Sequence, residues 1–256
     1  MTILNTKFLN SRPSNKGHYT VLVIFVLGLL LFLGLGVWQW HRGLEKEAIL
    51  ARFAKRQTEP PILLDRSPIS CAHFSCDELL YRRATVKGYF DERHSLLLDN
   101  QFYQHQVGYG VLTPFIFAPG KAVLVYRGWV PLPQNRAILP QWVPIPGEQT
   151  ITGILWKPQV PRFNLGNEVS LPNKWPKRIQ VLIWETLPSF PYTLLPVGLW
   201  QKGSEIEKFG LRAPPLPVVN ILPARHYGYA FQWVMIALVF SVLCGVVLCR
   251  KKHTSS

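Results

Sequence analysis

Residues 21–37 read Val-Leu-Val-Ile-Phe-Val-Leu-Gly-Leu-Leu-Leu-Phe-Leu-Gly-Leu-Gly-Val and carry no charge. With Tyr19 before the run and Trp38 and Trp40 after it, the stretch reaches about 20 residues, the length a helix needs to cross a bilayer core. Aromatic residues at both ends suit anchors at the membrane–water boundary. A cleaved signal peptide is the rival reading. Its apolar region is about 7–15 residues long and ends in small residues. This run is longer and ends in Trp-Gln-Trp-His-Arg, so an uncleaved membrane anchor is expected.

A second apolar run covers residues 229–249, with Gln232 and Ser241 as its strongly polar members, and Arg250-Lys251-Lys252 follow. Ala237, Ser241 and Gly245 lie four apart. Small residues at that spacing share one helix face and admit a close neighbour, and the first run offers Gly28, Gly34 and Gly36. Two spans put both termini on one side. The basic cluster after the second predicts cytoplasmic tails and an outer domain. The expected layout is an inside tail (1–20), a first transmembrane helix (21–40), a β-rich outer domain (41–228), a second transmembrane helix (229–249) and an inside tail (250–256). Charged residues are only 16% and apolar residues 48%, as membrane spans require. The net charge of +14 is spread without a Lys/Arg block in the middle of the chain. It suits anionic lipid head groups, and no nucleic-acid partner is expected.

Between the runs, residues 41–56 have a charged helical pattern, either a continuation of the first span or a short surface helix. Pro60-Pro61 ends it, because proline lacks an amide hydrogen and restrains the residue before it. Segments 83–90, 95–102, 107–117, 122–130, 149–157 and 192–201 are rich in β-branched and aromatic residues and predict strands. Residues 179–187 suggest a short helix. Residues 160–178 and 202–218, rich in Pro, Lys and Gly, suggest flexible loops. The fold class expected is an α+β membrane protein. Two transmembrane helices near the chain ends flank a compact antiparallel β-rich extramembrane domain, a small barrel or sandwich.

Cys71-Ala72-His73-Phe74-Ser75-Cys76 is compatible with a disulfide closing a small loop, an incidental pair or a soft-metal site. A structural zinc site takes about four ligands, and no second Cys/His pair at ligand spacing occurs. The chain has no Gly-x-Ser-x-Gly elbow, His-Glu-x-x-His, P-loop, Cys-x-x-Cys or dinucleotide fingerprint. Its 14 acidic residues form no obvious catalytic pair. A non-enzymatic role is expected.

The residues of interest flank the spans. His226, Ala230, Trp233 and Ala237 recur at steps of three and four and share a face. Gly34, Trp38 and His41 or Arg42 do the same in the first run. Side-by-side helices with these faces opposed would bring His226 near Trp38 and Arg42. A neutral imidazole can ligate haem iron, aromatic rings can hold the macrocycle, and an arginine can pair with a propionate. Interfacial anchoring uses the same residue types with no cofactor, and residue types alone weigh towards anchoring.

Four motifs carry a resemblance over nearly the whole chain. They are Leu35-Gly36-Val37-Trp38-Gln39-Trp40-His41-Arg42, Tyr81-Arg82-Arg83-Ala84-Thr85-Val86-Lys87-Gly88-Tyr89-Phe90, the pair Gly110-Val111-Leu112-Thr113-Pro114-Phe115 and Val125-Tyr126-Arg127-Gly128-Trp129-Val130-Pro131, and His226-Tyr227-Gly228-Tyr229-Ala230-Phe231-Gln232-Trp233. In this order, between two apolar runs, they resemble the surfeit locus protein 1 family of cytochrome c oxidase assembly factors. The resemblance implies a membrane-tethered biogenesis factor that helps place haem a in subunit I of a haem-copper oxidase. It implies His226 as the haem-iron ligand, with Trp38, Arg42, Tyr229 and Trp233 beside the cofactor. Implied partners are oxidase subunit I, haem a synthase and other oxidase assembly factors. The implied location is a bacterial inner membrane, or the mitochondrial one in a eukaryote. His41 lies outside the pattern; it is either a second ligand peculiar to this chain or an interfacial residue, and the interfacial reading is favoured. The alternative is a tethered scaffold whose β domain docks oxidase subunits and never touches haem. Gly88 interrupts a strand, which predicts a bulge or a close backbone approach. Gly128, after Arg127, reads as a position that excludes a side chain.

Overall fold

The computed structural model describes residues 16–65, 78–158 and 175–253. Cys71 and Cys76, most of the expected 160–178 loop and the first 15 residues lie outside this set. The chain divides into two units. One holds the chain up to Ala51 and from Val218 onward, and the other holds Arg52–Pro217.

The first unit is helical. Helix α1 spans Lys16–Thr58 and helix α2 spans Pro223–His253. Both are long and apolar enough to cross a membrane. The apolar run and the charged stretch after it are one continuous helix, which stops short of Pro60 as proline demands.

The second unit is built on β1 (Ile62–Leu63), β2 (Arg83–Phe90), β3 (Leu96–Tyr103), β4 (Gln106–Ala118), β5 (Lys121–Pro131), β6 (Gln149–Trp156), β7 (Lys177–Ile179) and β8 (Thr193–Gln201). Their order is β1-β2-β6-β8-β5-β4-β3-β7, and β2 also pairs with β4. That extra pairing, Tyr89 with Ile116 and Phe90 with Phe115, closes β2-β6-β8-β5-β4 into a five-stranded barrel. Strands β3 and β7 extend from β4, and β1 lies beside β2. Closure pairs every one of these five strands on both sides, which a flat five-stranded sheet could not do.

The antiparallel expectation is corrected. Pairs β1–β2, β3–β7 and β5–β8 are parallel, so the sheet is mixed. Residues 179–187 are not a helix. The segment opens on the end of β7 and carries only a 3-10 turn, Trp184–Thr186, whose Trp184 Nε1 donates to the Leu195 carbonyl at 3.2 Å. That bond ties the segment to β8. Within 202–218 there is a further 3-10 stretch, Ser204–Phe209.

Strand alternation explains the core. Ala84, Val86, Val123, Val125, Ile151, Leu155, Val197 and Leu199 recur two or four apart along their strands and form one buried cluster. The opposite faces carry Leu124, Tyr126, Ile154, Trp156 and Trp200, also buried, under a cover that includes Ile179, Leu182 and Phe53. Strand β5 is therefore buried on both faces from Ala122 to Val130. It reads as a near-continuous apolar run interrupted by Arg127.

Arg127 sits in a bulge. Val111 pairs with Gly128 while Leu112 pairs with Tyr126, so Arg127 is the extra residue. Gly128 has φ +154°, and a Cβ there would lie 2.7 Å from the Arg212 carbonyl oxygen, which bears out the reading that a side chain is excluded. At Gly88 a Cβ would overlap the carbonyl of Ile116 on β4. This is the close backbone approach expected there, and it lies next to the barrel's closing pairs.

Candidate functional site

Helix α1 meets α2 through glycine steps. Gly36 and Gly43 are buried. A Cβ on Gly36 would lie 3.6 Å from the Ala230 carbonyl and 3.7 Å from Trp233 Cβ, and one on Gly43 would overlap the Tyr227 ring. Lower on α1, Gly28 makes room for the Phe240 ring. The α2 face supplies Ala230 and Ala237, at 6% and 3% exposure. Of the small residues expected at the packing face, Gly34 and Gly245 meet nothing, and Ser241 Oγ turns back to the Ala237 carbonyl at 2.7 Å. Aromatic contacts line the same seam. Phe32 stacks on Trp233 with centroids 6.1 Å apart, Phe32 meets Phe240 edge-on at 5.5 Å, and Trp40 tilts against Tyr227 at 4.9 Å.

His226 lies in this seam and is buried. Its Nδ1 is 2.9 Å from Gln39 Oε1. An amide oxygen only accepts, so Nδ1 is the donor in this contact and Nε2 is the nitrogen left for another partner. Nε2 is itself buried and has no hydrogen-bond partner.

The five residues expected around a cofactor do not all converge. His226 and Trp233 face α1. Trp38 is 55% exposed and Tyr229 46%, and Arg42 is held by Glu45 of its own helix at 2.7 Å. The opposed face of α1 is Gly36, Gln39 and Gly43 rather than Gly34, Trp38 and Arg42, so it is turned by about one residue, or about 100°. His226 therefore meets Gln39, not Trp38 or Arg42. Gln39 was missed as a site residue although it was visible in sequence. It is a polar residue three past one glycine and four before another, so it shares their face.

An axial haem ligand needs a neutral imidazole with a free lone pair and a fixed orientation. His226 fits that chemistry, because its Nδ1 is held and its Nε2 is an orphan in an apolar, aromatic seam. Ligation through Nε2 requires the side chains that cover it to move aside. Among the described residues no cluster of His, Cys, Asp and Glu suits a metal ion.

The comparisons with known proteins agree with one another. The SURF1-like protein of Rickettsia bellii is 27% identical over 242 residues, covering 89% of each chain. The SURF1-like protein of Rickettsia conorii is 24% identical over 242 residues, covering 93% of this chain and 92% of its own. Surfeit locus protein 1 of Arabidopsis thaliana is 33% identical over 124 residues, 44% of this chain and 34% of the plant protein. The family model matches residues 26–238, from within the apolar run of α1 to about the middle of α2. The chain belongs to the SURF1 family.

Proposed function

We propose that this chain is a membrane-anchored, non-enzymatic assembly factor for cytochrome c oxidase that holds haem a for subunit I. Membership of a family of oxidase assembly factors supports the general role. One observation supports the finer one: His226 presents a buried, unpartnered Nε2 while Gln39 holds its Nδ1. When bound, haem a would supply the redox-active iron that the oxidase needs, and its potential follows its axial ligand. The protein's part is to orient the imidazole and exclude water with Phe32, Trp233 and Phe240. Helices α1 and α2 act as the membrane anchors, with both tails cytoplasmic and the β unit outside. The partners are subunit I, haem a synthase and other oxidase assembly factors.

The test is the absorption spectrum of the purified protein from cells that make haem a and from cells that do not. A haem spectrum from the first source only, lost in His226→Ala, is expected. Equal haem in His226→Ala, or none in the wild type, rejects the ligand role and leaves a scaffold. Normal oxidase activity and haem content in a deletion strain rejects the assembly role.

A further inference from the structure

Of the seven histidines, a second has the arrangement seen at His226. His94 ends the 3-10 turn Glu92–His94 in the β unit. Its Nδ1 is 2.6 Å from Asp91 Oδ2, and the same oxygen accepts the Tyr192 hydroxyl at 2.9 Å. A carboxylate only accepts, so Nδ1 donates to Asp91 and Nε2 is the nitrogen left to face a ligand. No hydrogen bond to Nε2 occurs among the described residues, and the His94 side chain is 27% exposed. Three partly exposed aromatic rings stand edge-on around the imidazole: Trp175 at 4.9 Å, Phe190 at 6.3 Å and Tyr192 at 6.5 Å. The Lys177 ammonium lies 4.9 Å over the Trp175 ring.

A carboxylate fixing one imidazole nitrogen is the usual support of a metal-bound histidine. A bare ion needs about four protein donors, and no such cluster exists among the described residues. An iron porphyrin brings its own four equatorial nitrogens and needs only an axial donor, flat apolar surfaces and a cation for its carboxylates. His94 and the three rings supply the donor and the apolar surfaces, and Lys177, 8% exposed, is the cation held over Trp175. We infer that His94 is a second axial-donor site for an iron porphyrin, in the β unit and separate from His226. This rests on the haem-handling reading above. Asp91 is an anion where Gln39 is a neutral amide, so the His94 imidazole is the stronger donor of the two.

The test is a titration of the purified full-length chain in detergent with ferric protoporphyrin IX, followed in the Soret band. The variants are His226→Ala, His94→Ala, the double variant and Asp91→Asn. His105→Ala is the control, because His105 is exposed at the β3–β4 turn. Two equivalents are expected for the wild type and the control, one for each single alanine variant and none for the double. Asp91→Asn should weaken the His94 site by about 10–100-fold. If far-ultraviolet circular dichroism shows His94→Ala misfolded, Asp91→Asn in the His226→Ala background decides, and unchanged binding there overturns the inference. A stoichiometry untouched by His94→Ala but lowered by His226→Ala rejects His94 and keeps His226. The reverse pattern keeps His94 and rejects His226. An equal loss in His105→Ala means adventitious coordination only and rejects the site.

Discussion

Arg127 reaches Glu92 through one nitrogen, with Nη1 donating to Oε1 at 2.6 Å and to Oε2 at 2.8 Å. The arginine side chain is fully buried, its guanidinium lies 4.6 Å over the Phe90 ring, and its Nε and Nη2 have no partner. Burial pulls the guanidinium below its ordinary range, and the charge and hydrogen bonds of Glu92 oppose that fall. Glu92 has further duties. It accepts Trp142 Nε1 at 3.1 Å and the Ile145 amide at 3.0 Å, so one carboxylate ties the loop after β5 to the barrel.

Removing one partner of a buried pair leaves the other charge unpaired. We expect Glu92→Gln to cost about 3 kcal/mol, the lower end for such pairs, since Glu92 keeps 21% exposure. Glu92→Leu combined with Arg127→Met should not recover wild-type stability, because the Trp142 and Ile145 donors stay unpaired. Denaturant melts of the detergent-solubilised chain measure both. Full recovery in the double variant would mean that the loop does not depend on Glu92.

Gly88 tests the closing seam of the barrel. Its missing side chain lets the Ile116 carbonyl approach, next to the two pairs that join β2 to β4. Gly88→Ala should cost about 1–3 kcal/mol, as overpacking does, and Gly88→Glu should prevent the β unit from folding. Protease resistance and melting temperature report both. An unchanged melting temperature for Gly88→Glu would contradict the close approach.

Gln39 tests the positioning of His226. Gln39→Leu removes the acceptor at Nδ1 and should lower haem affinity about 10–100-fold. Gln39→Glu keeps an acceptor and should retain binding. The haem-to-protein ratio after purification is the readout, with helix content checked by circular dichroism. Equal ratios in all three proteins would show that the hydrogen bond does not orient the ligand.

Alkaline pH tests the buried phenols. Burial raises the Tyr126 pKa, and burial together with the hydrogen bond and charge of Asp91 raises that of Tyr192. Each folded-state value exceeds the unfolded one, so the folded state binds the proton more tightly. This contribution is complete below the ordinary tyrosine pKa of about 10 and is lost as pH rises above it. Stability should therefore fall above about pH 10, less steeply in Tyr192→Phe. An ultraviolet titration in which all nine tyrosines ionise together would reject this.

Strands were legible where local chemistry decides them. β2 begins and ends where the β-branched and aromatic pattern does, and β5 nearly so. Their partners were not legible. The parallel pairing of β5 with β8 joins Lys121 to Thr193, and no local pattern encodes a match that distant. The face of α1 was misjudged for a related reason. A helix that is apolar over most of its surface has little polar side to set its phase, and Gly34, His41 and Arg42 mark a different face from Gly36, Gln39 and Gly43. His94 was overlooked because its carboxylate is three residues away while its aromatic neighbours come from residues 175–192.

The position of β8 bears on how the protein is made. It enters the barrel between β5 and β6, although both precede it in the chain. A ribosome that has not yet released residues 193–201 holds a chain in which β5 and β6 each lack a neighbour. The gap is filled only when the last strand emerges, shortly before the apolar helix α2 follows it out. Synthesis therefore delivers the strand that completes the barrel and the second hydrophobic helix almost together.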